Sequence, residues 1–229
     1  VAKQEPLSDL IARSDLRHIA IEGCIGVGKT TLCQMLGETL GAQVVLEKFE
    51  ENPFLRDFYR DPERYAFQTQ IFFLLTRYKQ QRELLQADLF HRFLVTDYIF
   101  EKDKIFAYLN LQDEELKLYE TLVSSIEHNI ATPDLVVYLQ SSVQRLLLNI
   151  KHRGRSYESD MPESYIKDLN EAYNYFFFRY KATPLLIVNA AEMDFVGNKG
   201  HYEDLLREIF RPGRAAVEYY NPVLQKEKH

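Results

Sequence analysis

The stretch His18–Leu40, HIAIEGCIGVGKTTLCQMLGETL, decides the fold. Its first five residues, His18–Glu22, form an apolar run of strand length that leads into glycines. Gly23-Cys24-Ile25-Gly26-Val27-Gly28-Lys29-Thr30 then fits G-x-x-x-x-G-K-[ST]. The glycines let the backbone curl so that successive N–H groups point inward at phosphate oxygens. The helix that follows, Lys29–Leu40 with Gly41 as its stop, adds the positive end of its dipole, with Thr31 in its first turn. Lys29 reaches β- and γ-phosphates, and the Thr30 hydroxyl suits Mg²⁺. A strand before the loop and a helix after it are the context this chemistry requires.

Outward from this loop, strands and helices alternate. Gln43–Leu46, Arg92–Thr96, Asp134–Leu139 and Leu185–Val188 read as further strands. Helices are expected from Asp61-Pro62 to about Leu85, over 101–109 and 112–130, from Ser142 to His152 with Gly154 as stop, from Pro162 to about Lys181, and over 199–210. The pattern predicts an α/β P-loop NTPase with a five-stranded parallel sheet flanked by helices. Residues 1–16 are expected to be a loose arm, 17–210 a single P-loop domain with a lid near 151–160, and 211–229 a tail whose basic residues are solvated.

Composition narrows the partners. Net charge is −6, so no global positive field holds nucleic acid or an anionic membrane. There is no run of eighteen apolar residues and no signal-peptide pattern, which points to the cytoplasm. Two cysteines, Cys24 and Cys33, are too few for a disulfide framework and read as buried thiols.

Other P-loop classes fit poorly. A GTPase switch needs Asp-x-x-Gly after the third strand, where this chain has Asp97-Tyr98-Ile99-Phe100, and Asn-Lys-x-Asp, where it has Asn198-Lys199-Gly200-His201. A small-molecule kinase remains. Arg153 and Arg155 flank Gly154 and suit a mobile lid that neutralises the transferring phosphoryl group, although cations at a helix end also complement its dipole. Asp97, at a strand end, is a candidate Mg²⁺ ligand, directly or through water, and also a candidate helix cap. Glu47 ends the second strand and could take a proton from an acceptor hydroxyl, or be a solvated loop acid like Glu50 and Glu51. Gln70 and Arg77 lie two turns apart on one face of an apolar helix, which fits the edge of a nucleobase or a polar network between helices.

The loop IEGCIGVGKTT, Glu47, FYRDPERYAFQTQIFFLLTRY, the acid at 97, KHRGRSYE and AAEMDF, in this order, resemble the deoxynucleoside kinase family over about His18–Phe210. The resemblance implies transfer of the ATP γ-phosphate to the 5′-hydroxyl of a deoxynucleoside, a purine by overall likeness. It makes Glu47 the general base, places Tyr59 and Glu158 on the 3′-hydroxyl, and puts Gln70 and Arg77 on the base with Asp103 assisting. Arg153 and Arg155 become lid arginines, and Glu192–Phe195, with Asp194 and Phe195, lie near the ATP adenine. It further implies strand order 2-3-1-4-5 and a homodimer through the helices after the second and third strands. The sequence departs at Tyr98, where the family carries arginine, leaving Lys102 or Lys104 as substitutes, and at Asn149 and Tyr65. A nucleoside monophosphate kinase and a nucleotide-binding regulatory subunit without catalysis are the alternative readings.

Overall fold

The computed structural model describes residues 5–84, 91–128, 130–155, 158 and 161–222. Six parallel strands form one sheet: β1 (His18–Gly23), β2 (Gln43–Val45), β3 (Leu94–Thr96), β4 (Leu135–Gln140), β5 (Leu185–Asn189) and β6 (Val217–Tyr220), in the order β2-β3-β1-β4-β5-β6. The order 2-3-1-4-5 is thus present, with one strand added at the far edge. Every residue of β1 and the first five of β4 are buried, because helices cover both faces of the sheet. From β1 the chain moves first toward β3 and later toward β4. The crevice at the carboxyl ends beside β1 is therefore a topological switch point, where open α/β sheets bind ligands.

Between β1 and β2 runs α2 (Lys29–Leu40), closed by Gly41 in the left-handed conformation at φ 57°. After β2 come a single 3₁₀ turn (Phe49–Glu51), α3 (Leu55–Arg60) and α4 (Pro62–Leu84). The Arg64 N–H meets the Asp61 carboxylate, the cap expected of Asp61-Pro62. The buried face of α4 is not apolar as its composition suggested: Thr69, Gln70, Arg77, Gln80 and Gln81 are buried on it, while Leu75 is exposed. α5 (Lys102–Asn110) and α6 (Asp113–Ile126) follow β3. They share with α3 and α4 a second apolar cluster that includes Phe58, Leu74, Phe100 and Tyr119. α7 (Val143–Arg153) is capped by the Ser142 hydroxyl and stopped by Gly154. α8 (Glu163–Arg179) and α9 (Lys199–Ile209) cover the sheet around β5.

Both ends of the chain depart from expectation. The arm holds a helix, α1 (Leu7–Arg13), which buries Leu10 and packs on α9; Leu7, Leu10 and Ile11 share one face at i, i+3 and i+4. The tail supplies β6, and Arg214 is anchored rather than solvated, while Arg211 stays exposed. Arg214 lies over the end of α9, donating to the Ile209 carbonyl at 3.0 Å and to Glu218 at 2.6 Å, and Arg211 reaches Glu218 at 2.8 Å. Lys226–His229 lie outside the described residues. Cys24 and Cys33 are buried free thiols, and burial pushes the Cys24 thiol up to about 12.

Candidate active site

Segments that follow β1, β2 and β3 meet α4 and the end of α7 around one cavity. The first is the phosphate loop. Gly26 and Gly28 have φ of 87° and 102°, and a Cβ on Gly26 would meet the Leu146 carbonyl at 2.8 Å, so only glycine fits between the loop and α7. The Lys29 ammonium folds back on its own loop, donating to the Gly23 carbonyl at 2.7 Å and the Cys24 carbonyl at 3.2 Å. Burial, then the nearby Lys102 charge, lower the Lys29 pKa, while Glu22 and Asp97 oppose this. Glu22 is fully buried at the end of β1. Its carboxylate accepts from the Gly23 N–H at 3.1 Å and the Ile99 N–H at 2.8 Å, tying the loop to the segment after β3.

Asp97 binds two parts of the site together. Its Oδ2 accepts from the Thr30 hydroxyl at 2.8 Å and its Oδ1 from the Glu47 N–H at 2.7 Å. No group of three or more His, Cys, Asp or Glu suited to a metal occurs among the described residues. One carboxylate and one hydroxyl beside a phosphate loop nevertheless fit Mg²⁺, which keeps waters and substrate phosphates as its other ligands.

Glu47 lies in the loop two residues past the end of β2 and is half-buried, the centre of an ion-pair group and not a solvated acid. Its Oε1 accepts from Arg77 Nε at 2.7 Å and Nη2 at 2.5 Å, and its Oε2 from Lys102 Nζ at 2.6 Å. Burial alone would raise its pKa, but Arg77 and Lys102 more than reverse that and hold it at about 2. Of the two lysines that could replace the arginine absent at 98, Lys102 is therefore in the site, whereas Lys104 pairs with Glu127. Tyr98 itself is fully buried away from solvent.

Gln70 and Arg77 do share a face and line the cavity. Asp103 does not line it; it stands behind them. Arg77 Nη1 pairs with Asp103 Oδ1, Gln70 Nε2 donates to the Asp103 carbonyl at 2.9 Å and carboxylate at 2.8 Å, and the Tyr119 hydroxyl donates at 2.8 Å. An ionised carboxylate only accepts, so the Gln70 amino group must face it, and Oε1 is what Gln70 offers the cavity. Both faces of a base-reading amide were expected to be available; one is spent on Asp103. Tyr59 lies on the opposite wall, its ring edge-on to Tyr165 with centroids 6.3 Å apart. From the lid, Arg153 is ion-paired with the nearly buried Glu158, and Arg155 lies 4.3 Å over the Phe49 ring. Ser156, Tyr157, Ser159 and Asp160 of the expected lid lie outside the described residues.

On the other side of the phosphate loop a second cleft is lined by Gly28, Thr31, Asn149, Arg153, Asp194 and Phe195. The Phe195 ring packs against Gly28. The Asp194 carboxylate is committed to its own turn, accepting from the Gly197 N–H at 2.7 Å. Asn149 donates to the Gly26 carbonyl at 2.8 Å. The roles of Glu22 and Tyr119 were missed by sequence reading. An acid closing an apolar strand was the available signal for Glu22; Tyr119 gave none.

A family model described as deoxynucleoside kinase matches residues 19–211. This chain belongs to the deoxynucleoside kinase family. Within that family it is similar to deoxyguanosine kinase of Bacillus subtilis, 33% identical over 198 residues, covering 83% of this chain and 95% of the relative. It is also similar to the deoxyadenosine/deoxycytidine kinase of the same organism, 30% identical over 198 residues, covering 83% and 90%. A solved deoxyadenosine kinase from M. mycoides with bound dATP superposes with a TM-score of 0.74 at 27% identity, covering 84% of this chain and 98% of that one. As a deoxynucleoside kinase the chain is a phosphotransferase, and the open question is how its residues divide the work.

Proposed function

We propose that this kinase transfers the γ-phosphoryl group of ATP to the 5′-hydroxyl of a deoxynucleoside, with deoxyguanosine or deoxyadenosine preferred. The observation that carries the proposal is a single cavity lined by the phosphate-loop lysine, Lys29, together with Glu47, Gln70 and Arg77. The purine preference is supported by curated relatives named for deoxyguanosine and deoxyadenosine.

In this reading Gly23–Thr31 cradle the phosphates, and Lys29 turns from its own carbonyls to the γ-phosphate. Thr30 and Asp97 would hold Mg²⁺, which supplies charge neutralisation on the phosphate oxygens. Glu47 takes the 5′-hydroxyl proton as the O5′–P bond forms and the bond from phosphorus to the ADP oxygen breaks. Tyr59 and Glu158 hold the 3′-hydroxyl. Gln70 and Arg77 meet the base, held in place by Asp103. Arg153 and Arg155 close over the phosphates, and Asp194 and Phe195 flank the adenine of ATP in the second cleft. A homodimer would cover the exposed Leu75 of α4 and Leu118 and Leu122 of α6. No described helix is long and apolar enough to cross a membrane, and a cytoplasmic enzyme fits this.

The test is ATP consumption with the four deoxynucleosides and their monophosphates. Turnover on deoxyguanosine or deoxyadenosine is expected. Turnover on monophosphates alone would make this a monophosphate kinase, and nucleotide binding without turnover a regulatory subunit.

A further inference from the structure

Lys102 has no part in the reaction as just described, yet it sits inside the site. It opens α5, is 2% exposed, and lines the cavity with Lys29, Thr30 and Asp97. Its ammonium has three N–H donors, and among the described residues one protein acceptor meets it, Glu47 Oε2 at 2.6 Å. It lies close enough to Lys29 for the two charges to repel, and close enough to Glu22 for attraction. A buried and a half-buried ammonium facing one cavity are costly, and an anion between them relieves the cost. The phosphate loop brings such an anion to this place.

A second difficulty points the same way. A carboxylate gripped by two cations is a poor proton acceptor, and Glu47 is so gripped. One of the two cations must let go. Arg77 is fixed at both ends, by Glu47 and by Asp103, with Phe73 against its guanidinium. Lys102 has a single partner on a flexible four-carbon stem.

We infer that Lys102 is a catalytic residue: its ammonium leaves Glu47 for the transferring phosphoryl group, and the same movement frees Glu47 to accept the 5′-hydroxyl proton. Lys102 keeps its own protons throughout. The proton passes from O5′ to Glu47 Oε2, the O5′–P bond forms, and the electron pair of the breaking P–O bond leaves with ADP. The inference rests on the kinase reading above, and it makes the base competent only when ATP is in place.

Lys102→Met and Lys102→Arg, assayed beside wild type with the best deoxynucleoside and saturating ATP, test it. The Met variant is expected to lose about 10²–10³-fold in kcat, the usual cost of one charge-stabilising donor, with nucleoside affinity in the absence of ATP changed less than about fivefold. The Arg variant should recover at least about tenfold over Met. A Met variant with kcat within about threefold of wild type would overturn the inference while leaving the kinase reading intact. Loss of nucleoside affinity matching the loss in kcat would overturn it too, as the mark of a merely structural pair. Should Met fail to fold, ¹⁵N-lysine spectra of wild type decide: the Lys102 signal must shift on adding ADP with aluminium fluoride to the nucleoside complex, and an unmoved signal refutes the exchange. Wild type inactive on every deoxynucleoside would remove the kinase reading and this inference together.

Discussion

Replacing Glu47 by Gln tests two things at once, because the carboxylate is both the proposed base and the counter-charge of two buried cations. The catalytic part is a loss of general-base assistance, roughly 10²–10⁴ in kcat. The structural part follows from the ion pairs. Arg77 is 3% exposed and Lys102 equally buried, so removing their shared anion strands charge inside the protein. Removing one member of a buried pair costs about 3–5 kcal/mol. The glutamine oxygen still accepts one bond and Asp103 still neutralises Arg77, which argues for the low end, about 3 kcal/mol. At roughly 2–4 °C per kcal/mol for a chain of this size, the melting temperature should fall by about 6–12 °C. Steady-state kinetics and thermal melts of Glu47→Gln, with Glu50→Gln and Glu51→Gln as exposed controls, measure both parts. A variant with normal melting would show that the ion-pair centre contributes no stability. One that melts low yet turns over normally would show that positioning and Mg²⁺ suffice and that no base is needed.

Tyr59→Phe should lower kcat/KM by about 1.5–3 kcal/mol, the value of a hydrogen bond in a charged network, and the 3′-deoxy substrate should lose no further in the mutant; an additional loss there would clear Tyr59 of reading the 3′-hydroxyl. Gln70→Ala should weaken binding of every good substrate, measured by calorimetry, and unchanged affinity with a lower melting temperature would make the Gln70–Asp103 contact a packing device. His18 is buried against the Thr96 hydroxyl at 3.1 Å, and burial lowers its pKa from 6.5 to about 4. The unfolded chain therefore takes the proton first, so stability is full above pH 6.5 and falls by up to about 3 kcal/mol as pH drops to 4. Glu47 adds a loss mainly below its ordinary value of 4.5, whereas burial raises the Glu22 and Glu101 carboxyls above 4.5 and gives them the opposite sign, so the histidine is read as a difference: in urea titrations between pH 7 and 5 the loss of stability on acidification should be smaller in His18→Gln than in wild type, and an unchanged slope rejects the assignment.

The parts of this molecule that could be read from residue order are those governed by local rules. The strand–glycine–helix signal around 18–40, the Asp61-Pro62 start, and the Gly41 and Gly154 stops each depend on a few adjacent residues, and each is where expected. The polar face of α4 was hidden because its partners are distant: Arg77 meets Glu47 thirty residues earlier and Asp103 twenty-six later. Lys102 could be nominated from the absent arginine at 98, but its contact with Glu47 depends on how α5 docks against the end of β2. Asp103 was placed beside Gln70 and Arg77 by the family resemblance alone, because a sequence does not distinguish the wall of a cavity from what stands behind it. The two ends were misjudged for a different reason. Seven residues of α1 and four of β6 are too short for periodicity to outweigh their polar composition, and only docking onto the rest of the sheet decides their structure.

That last strand has a practical side. β6 lies parallel against β5 from Val217 to Tyr220, and its own outer side turns Val217 and Tyr219 to solvent. Shortening the chain at Phe210 would leave the catalytic residues in sequence but uncover the backbone of Leu185–Val188, an apolar run with no charge to discourage a neighbour. Such a trimmed enzyme would precipitate from concentrated solution long before it lost its chemistry, and a proteolytic cut in the 211–216 connection would do the same to the intact protein during storage.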